Sequence, residues 1–256
     1  MLVRVLMRVL ILVAAVVVTA FAQPAPTRVP VVVELFTSEG CSSCPPADAV
    51  LSQLAKEQPV AGAEIIALGM HVTYWDELGW KDVFSLPLAT KRQQDYSRVF
   101  GEDRIYTPQA VVDGAEELIG SAGAGVRQAI ERAARRPHAR IALEPAYGPQ
   151  GISAKITIPS LPSEVTEPLD LLFFVTEGGL TTKVQRGENH GRTLRHDAVV
   201  RDMVHVGTLR TDARFPFVAT AESRVKDEPL RPANAWLVVA VLQGQKTRRI
   251  WASGIR

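Results

Sequence analysis

Two cysteines, Cys41 and Cys44, are the only thiols in this 256-residue chain, and they stand three positions apart in the stretch EGCSSCPPAD. A disulfide between residues so close together closes a very small loop and stabilises a fold little, so the pair is better explained by chemistry. In thiol–disulfide exchange, one cysteine attacks the partner's disulfide and the second resolves the mixed disulfide. The spacing therefore predicts a redox-active pair in which Cys41 attacks and Cys44 resolves.

The residues around the pair predict how it is positioned. A β-branched run over residues 29–36 predicts a buried strand, and apolar residues that recur through residues 45–58 predict a helix. Pro45 and Pro46 fit the first turn of that helix, where the backbone N–H groups have no partner. We therefore expect the pair at a strand-to-helix junction, where the helix N-terminus favours the thiolate of Cys41.

A Cys-x-x-Cys pair is also half of many zinc sites, which need two further ligands. The chain has no second cysteine pair, and its five histidines show no paired metal-ligand spacing, so the sequence predicts neither a metal centre nor a cofactor. One rival stays open, because thiolates suit Cu(I). In that interpretation Cys41, Cys44 and His71 are ligands in a periplasmic copper-binding or copper-delivery protein. A redox-inert protein whose pair stays oxidised is a third interpretation.

Secondary-structure patterns divide the chain into two expected domains. Over residues 23–136, strands and helices follow the order β-α-β-α-β-β-α, which predicts an α/β domain with a central mixed sheet flanked by helices. Over residues 137–256, eight β-rich runs separated by turn signals predict an all-β, sandwich-like domain.

The first 22 residues have the pattern of a secretory signal peptide. Arg4 and Arg8 precede an apolar run over residues 9–20, which is shorter than the roughly 20 residues of a membrane-spanning helix, and the tripeptide AFA provides a cleavage site. We expect a periplasmic or secreted mature protein with no membrane attachment. Without the two arginines of this segment, 29 − 2 = 27 basic residues balance 27 acidic ones, which argues against a nucleic-acid partner.

Two further stretches carry candidate site residues. The stretch HVTYWDELGWKD, residues 71–82, begins at the carboxyl end of the second predicted strand, where ligands of open α/β sheets usually bind. The candidates to line the approach to Cys41 are His71, Tyr74, Trp75, Asp76 and Trp80, and His71 is also a candidate for proton transfer. The alternative is an insertion whose aromatic residues cover the core while His71 is hydrogen-bonded. For RGENHGRTLRHDAVVR, residues 186–201, a hairpin turn with solvated flanks is preferred to a hydrogen-bonding loop that faces the first domain.

The stretches VVVELFTSEGCSSC and YTPQAVVDGAEELIGS, about 60 residues apart, resemble thioredoxin-fold proteins and are most similar to glutaredoxins. The resemblance implies a cis peptide bond at Thr107-Pro108 that lies against the disulfide, with neighbouring backbone groups that bind the substrate chain. It also implies a buried carboxylate on the first strand as proton acceptor for the second cysteine. Glu34 matches that position approximately, and a strand-end glutamate facing water is the other interpretation. Acidic residues that hold glutathione in glutaredoxins have no counterpart after Gly120.

Four stretches together resemble the secreted bacterial proteins known as domain of unknown function 1223, which are thioredoxin-like in their N-terminal part: VELFTSEGCSSCPPAD, HVTYWDELGWKD, YTPQAVVDG and RGENHGRTLRHDAVVR. That family implies a fold and an exported location, but no settled activity. The sequence thus predicts an exported thiol–disulfide oxidoreductase that acts on a protein or a small thiol or disulfide. The predicted substrate-binding residues are Thr107, Pro108, Tyr74 and Trp75, and the candidates for proton transfer are Glu34 and His71.

Overall fold

The computed structural model describes residues 28–148, 151–223, 225 and 235–256. The predicted signal peptide, residues 1–22, lies outside the described residues. Within these ranges no helix is both long and apolar enough to cross a bilayer.

The first half of the chain alternates strands and helices. The elements follow the predicted order, and β1 and α1 end within one residue of their predicted bounds, because apolar periodicity and the flanking prolines mark the ends. The elements are β1 (Val29–Thr37), α1 (Pro45–Glu57), β2 (Ala63–His71), α2 (Pro87–Phe100), β3 (Gln109–Val112), β4 (Glu116–Ile119) and α3 (Gly123–Ala133).

The described part of the second half contains strands and no helix. The strands are β5 (Ala139–Arg140), β6 (Ala142–Gly148), β7 (Gly151–Ile158), β8 (Leu169–Gly178), β9 (Leu180–Lys183), β10 (Thr193–His196), β11 (Val199–Leu209), β12 (Phe217–Ser223), β13 (Ala235–Gly244) and β14 (Ile250–Ile255).

One nine-stranded sheet runs through both halves, in the order β4-β3-β1-β2-β11-β8-β13-β14-β5. Strands β1 and β2 are parallel, whereas β3 pairs antiparallel with β1. The halves join where Val199 of β11 pairs with Gly69 of β2, and the Gly69 N–H donates to the Ala198 carbonyl at 2.7 Å. The prediction of a mixed α/β fold with a large mixed sheet is confirmed. The strands of the two expected domains share that sheet, and the boundary near residue 137 stays a prediction.

The two faces of this sheet bury different side chains. Because strand side chains alternate, Val31, Val33 and Leu35 of β1 face α1 and α3, whereas Val32 and Phe36 face α2. Apolar residues of β8 and β13 lie in the same core as Val32 and Phe36, so the sheet curves around α2. The opposite face of β8 and β13 packs against the three-stranded sheet β12-β7-β6. Because β1 and β2 are parallel, their carboxyl ends lie side by side, next to the start of α1.

Candidate functional site

The two cysteines form a disulfide at the predicted junction of β1 and α1. Their Cα atoms are 5.4 Å apart, Cys44 is the N-cap of α1, and prolines fill the first helical positions. Both Cys41 and Cys44 are 0% exposed, although Ser42 and Ser43 between them are exposed. The pair therefore lies where the sequence predicts, but the rest of the protein covers its sulfur atoms.

A loop from the second half is hydrogen-bonded to the backbone of the cysteine segment. The side-chain amide of Asn189 donates to the carbonyls of Glu39 and Cys41, both at 2.9 Å, and Asn189 is fully buried. The carboxylate of Glu188 accepts the N–H of Ser42 at 3.0 Å. The preference for a solvated turn in this stretch is wrong for Asn189, because the sequence does not reveal which distant backbone the loop contacts.

The predicted cis proline and one predicted aromatic residue also meet here. The Thr107-Pro108 peptide bond is cis, as the resemblance implied. Trp75 donates from Nε1 to the Thr107 hydroxyl at 2.8 Å, and its Cβ lies 3.2 Å from where a side chain at Gly40 would begin. Trp75 thus connects the segment that precedes Cys41 with the cis bond, and its closeness leaves little room for a side chain at position 40.

Tyr74 supports the segment that carries the cis bond. Its hydroxyl donates to Gln93 Oε1 at 3.2 Å, and the amide of Gln93 donates to the Tyr106 carbonyl at 2.7 Å. Burial raises the pKa of Tyr74 to about 12, so the hydroxyl stays protonated and keeps its donor role at neutral pH.

Glu34 lies on the other face of β1, among the residues that face α2. Its Oε2 accepts from Arg92 Nη2 at 3.0 Å and from the Tyr96 hydroxyl, and Arg92 also donates to Gln243 Oε1 at 2.9 Å. All four side chains are buried. The structure therefore does not bring Glu34 to the cysteine pair.

Five buried titratable side chains lie around the carboxyl ends of β1 and β2, and we call them the acid–histidine cluster: Glu39, Asp48, His71, Asp82 and His196. Nδ1 of His71 is 2.7 Å from Asp82 Oδ2, and the same oxygen accepts the N–H of Glu39 at 2.8 Å. The rings of His71 and His196 meet edge to face, with centroids 4.9 Å apart. The predicted proton-transfer candidate His71 thus belongs to a larger group of ionisable side chains.

Burial and neighbouring charges shift the pKa values in this cluster. Burial disfavours the imidazolium of His71, but the adjacent Asp82 carboxylate outweighs burial and raises the pKa of His71. Burial opposes the ionised form of Asp82 as well, yet His71 lowers the pKa of Asp82. Burial raises the pKa of Asp48. Among the described side chains, the ion-pair partners of these carboxylates are the two histidines.

Two atoms of the acid–histidine cluster have no hydrogen-bond partner. They are Glu39 Oε1 and His196 Nε2, which are both buried and lie 3.4 Å apart. The other oxygen of Glu39 accepts from Trp80 Nε1 at 2.8 Å. Within residues 28–148, 151–223, 225 and 235–256, no group of three or more His, Cys, Asp or Glu side chains is arranged to hold a metal ion.

The family resemblance seen in the sequence is confirmed by the match of residues 32–241 to the family described as protein of unknown function, DUF1223. The chain belongs to this family. Protein AGR_C_4864 of Agrobacterium tumefaciens, solved by X-ray crystallography, is similar in structure, with 25% identity and a TM-score of 0.66 over 90% of this chain and 95% of that one. HBP35 of Porphyromonas gingivalis has the same TM-score at 17% identity, over 90% of this chain and 75% of that one, and shows a shared fold alone. A search of curated proteins finds no significant match.

Sequence reasoning missed several residues at the site of this DUF1223 chain. Asp48 follows Cys44 by four positions on α1, and that spacing places both on one helix face, so a signal for Asp48 was present. Asn189 and His196 lie in the stretch 186–201, for which a hydrogen-bonding loop facing the first domain was the alternative interpretation, but no signal marked these two residues within it. They reach the site because β10 pairs with β9 and α1 packs beside them, which local sequence patterns do not specify.

Proposed function

We propose that this DUF1223 protein is an exported thiol–disulfide oxidoreductase that uses Cys41 and Cys44 on a protein or a small thiol or disulfide. The observation that carries the proposal is the three-residue disulfide at the N-terminus of α1, tied through Trp75 to the cis Thr107-Pro108 bond. A disulfide in so short a loop contributes little stability, whereas a helix N-terminus favours a thiolate.

The first half supports a thioredoxin-like interpretation of this site. The elements from β1 to α3 follow the succession expected for the resemblance, with the cysteine pair after the first strand and the cis proline directly before β3. Substrate binding by Thr107, Pro108, Tyr74 and Trp75 is part of this proposal. So is the periplasmic or secreted location, in which an oxidised pair persists.

The reaction that we propose starts from the reduced pair. The Cys41 thiolate attacks one sulfur of the substrate disulfide, and the other substrate sulfur leaves as a thiolate that takes up a proton. Cys44 then loses its proton and attacks the sulfur of Cys41, which re-forms the disulfide and releases the second substrate thiol. The Ser43 hydroxyl, 3.3 Å from Cys41 Sγ, is placed to donate to the Cys41 thiolate.

The burial of both sulfur atoms favours a second candidate, a redox-inert protein whose pair stays oxidised. A buried disulfide exchanges slowly because the attacking thiolate must reach a sulfur atom. For the copper-binding alternative no such observation exists, since His71 is bonded to Asp82 and does not form a ligand group with the cysteines among the described residues.

A redox titration separates these candidates. The purified mature protein is equilibrated in glutathione buffers of graded ratio, its thiols are trapped with a mass-tagged maleimide, and the midpoint is determined by mass spectrometry. We expect a reversible midpoint of roughly −120 to −270 mV, the range of known exchange catalysts. A pair that never becomes reduced supports the inert candidate. Thiols that never oxidise and bind Cu(I) one to one support the copper candidate.

Variants of the pair test the assigned roles. Cys41→Ser should abolish insulin reduction, because the attacking sulfur is lost, whereas Cys44→Ser should accumulate a mixed disulfide with substrate, because the resolving sulfur is lost. Ser163→Ala, in an exposed part of the connection between β7 and β8, is the control and should retain activity. Equal activity of both cysteine variants and the parent would overturn the catalytic assignment.

A further inference from the structure

The loop between β9 and β10 is held in one shape by its own hydrogen bonds, and we call residues 184–192 the clamp loop. The Gly191 N–H donates to the Val184 carbonyl at 2.9 Å, and the Arg192 N–H donates to the Asn189 carbonyl at 3.1 Å. Arg192 Nη1 also donates to Asn189 Oδ1 at 2.8 Å. The side chain of Asn189 is therefore oriented before it meets the cysteine segment.

Asn189 fixes the backbone on both sides of Gly40. The two hydrogens of its amide go to the carbonyls of Glu39 and Cys41, and all of these contacts are buried. Gly40 is the residue with the widest conformational freedom in this segment, so two anchored carbonyls on its flanks remove that freedom. The orientation of Cys41 thus depends on a residue that lies 148 positions further along the chain.

The Glu188 carboxylate accepts a hydrogen bond from the backbone between the two cysteines. Hydrogen bonds from Ser42, including its backbone N–H at 3.0 Å, lower the pKa of Glu188, so a carboxylate lies beside the disulfide at neutral pH. A Cys41 thiolate would compete with this carboxylate for donors at the helix N-terminus and would be repelled by it. The oxidised pair carries no charge and meets no such repulsion.

The clamp loop also interlocks with the segment that carries Trp80. A side chain added at Gly187 would begin 3.1 Å from Trp80 Cβ, and one added at Gly79 would begin 3.4 Å from Gly187 Cα. Both glycines have positive φ angles, 72° for Gly187 and 107° for Gly79. Two loops from different halves of the chain thus close against each other beside the disulfide.

We propose that the clamp loop holds the Cys41–Cys44 pair in its oxidised, closed form, with Asn189 as the positioning residue for Cys41. The inference rests on the proposed oxidoreductase function and adds a regulatory role for the second half. A substrate reaches a sulfur atom only after Glu188 and Asn189 detach, and detachment is favoured in the reduced form. The clamp loop binds the oxidised form better, so it stabilises that form by the difference in affinity.

Three variants in the clamp loop test this inference. Asn189→Ala removes both anchors of the cysteine segment, Glu188→Gln removes the charge, and His190→Ala is the matched control, since His190 is an exposed neighbour. Dithiothreitol reduces the disulfide to two thiols and becomes a cyclic disulfide itself, so the rate of thiol release measures access. We expect about a tenfold faster reduction in Asn189→Ala and about threefold in Glu188→Gln, with no change in His190→Ala.

The midpoint distinguishes positioning from a merely structural role. In Asn189→Ala we expect the equilibrium constant to shift about tenfold toward the reduced form, which is about 30 mV for a two-electron couple. A structural role alone would lower the free energy of unfolding and leave the midpoint of the folded protein unchanged. If Asn189→Ala does not fold, Glu188→Gln carries the test, because its exposed side chain is not needed for the core.

Failure of this inference differs from failure of the proposed function. If the parent has a reversible midpoint and neither variant changes the rate or the midpoint, the clamp is wrong and the oxidoreductase proposal stands. If the parent pair resists reduction but the Asn189→Ala pair is readily reduced, the clamp is supported and catalysis by the parent is not. If the pair resists reduction in every folded variant, both are overturned.

Discussion

Two buried polar networks lie along β1, one on its face toward α2 and one at its carboxyl end. They differ in how completely their polar atoms are hydrogen-bonded. On the face toward α2, Arg92 donates to both oxygens of Glu34, and Tyr96 and Gln243 complete the hydrogen bonding. At the carboxyl end of the strand, the acid–histidine cluster combines three carboxyl groups with two histidines. Among the described residues no Lys or Arg pairs with that cluster, and Glu39 Oε1 lacks a hydrogen bond.

The contrast separates a stabilising network from a candidate for chemistry. A buried ion pair whose charged atoms are all hydrogen-bonded fixes the packing of its elements, here α2 and β13 against β1. A buried polar atom without a hydrogen bond lowers the stability of the fold, and such atoms concentrate where function requires them. The acid–histidine cluster is next to the disulfide, so a role there can explain why it keeps polar atoms without hydrogen bonds. The Glu34 network has its hydrogen bonds and needs no such explanation.

The largest expected effect comes from breaking the satisfied network. Arg92→Met leaves the Glu34 carboxylate buried without its cation, which should lower the free energy of unfolding by about 3–5 kcal/mol in urea at pH 7. Lys91→Met is the matched control on the same helix, because Lys91 forms an exposed pair with Asp95 and should cost less than about 1 kcal/mol. The disulfide midpoint of folded Arg92→Met should equal that of the parent. A loss no larger than that of the control would contradict the comparison.

A smaller effect is expected at a buried carboxyl that forms no ion pair with an arginine or lysine among the described residues. Here the substitution should raise the free energy of unfolding. Burial raises the pKa of Asp113 to about 7, and its nearest basic group, His138 Nδ1, is 3.8 Å away. Burial lowers the pKa of His138 to about 4, so His138 is neutral at higher pH. Because the folded pKa of Asp113 lies above its unfolded value of 3.8, its contribution to stability is fully present below pH 3.8 and is lost as the pH rises through 7.

Asp113→Asn removes this ionisation and keeps an oxygen that accepts the Val32 N–H, which the parent holds at 2.8 Å. The variant should exceed the parent by roughly 2–3 kcal/mol in free energy of unfolding at pH 8.5 and by much less at pH 4.5. Urea unfolding at the two pH values measures both differences. A difference independent of pH would show that Asp113 is not the group that titrates.

Local patterns predicted the elements of the first half but not the contacts between the halves. The strand before Cys41 and the helix after Cys44 depend on residues within a few positions of one another, whereas the cis bond at Pro108 was implied by the family resemblance. The pairing of Val199 with Gly69 depends on how two distant strands meet, and no periodicity encodes that choice. This pairing merges the second half into the sheet of the first.

Sequence patterns likewise predicted some residues of the candidate site and assigned another to the wrong place. Cys41, Cys44 and Trp75 were predicted because a motif and a strand end mark them, and the structure places them together. Glu34 was assigned to the pair by its position in the resemblance, but side-chain alternation directs it to the opposite face, where α2 supplies Arg92. The sequence alone does not show that α2 carries a cation for it.

The smallest expected effect tests the acid–histidine cluster itself. In Asp82→Asn, His71 loses the carboxylate that raises its pKa, and the free energy of unfolding should fall by roughly 1–2 kcal/mol at pH 5.5. The raised pKa of His71 gives stability that is complete below pH 6.5 and is lost as the pH rises through its folded value. The lowered pKa of Asp82 gives stability that is complete above pH 3.8 and is lost in stronger acid. The pair therefore stabilises most between pH 3.8 and 6.5, and the difference between the variant and the parent should shrink as the pH rises through the folded pKa of His71.

Asp103→Asn is the matched control, because Asp103 is exposed and lies outside the acid–histidine cluster. The redox titration then completes the comparison of the two networks. Reduction of the disulfide to two thiols takes up two protons, and nearby ionisable side chains whose pKa values depend on the redox state of the pair alter how the midpoint varies with pH. Asp82→Asn should alter that dependence, whereas Arg92→Met should not, because its network holds its charges in fixed pairs. If the midpoint of Asp82→Asn varies with pH as that of the parent does, the cluster is a second structural network. Its two atoms without a hydrogen bond then have no functional explanation.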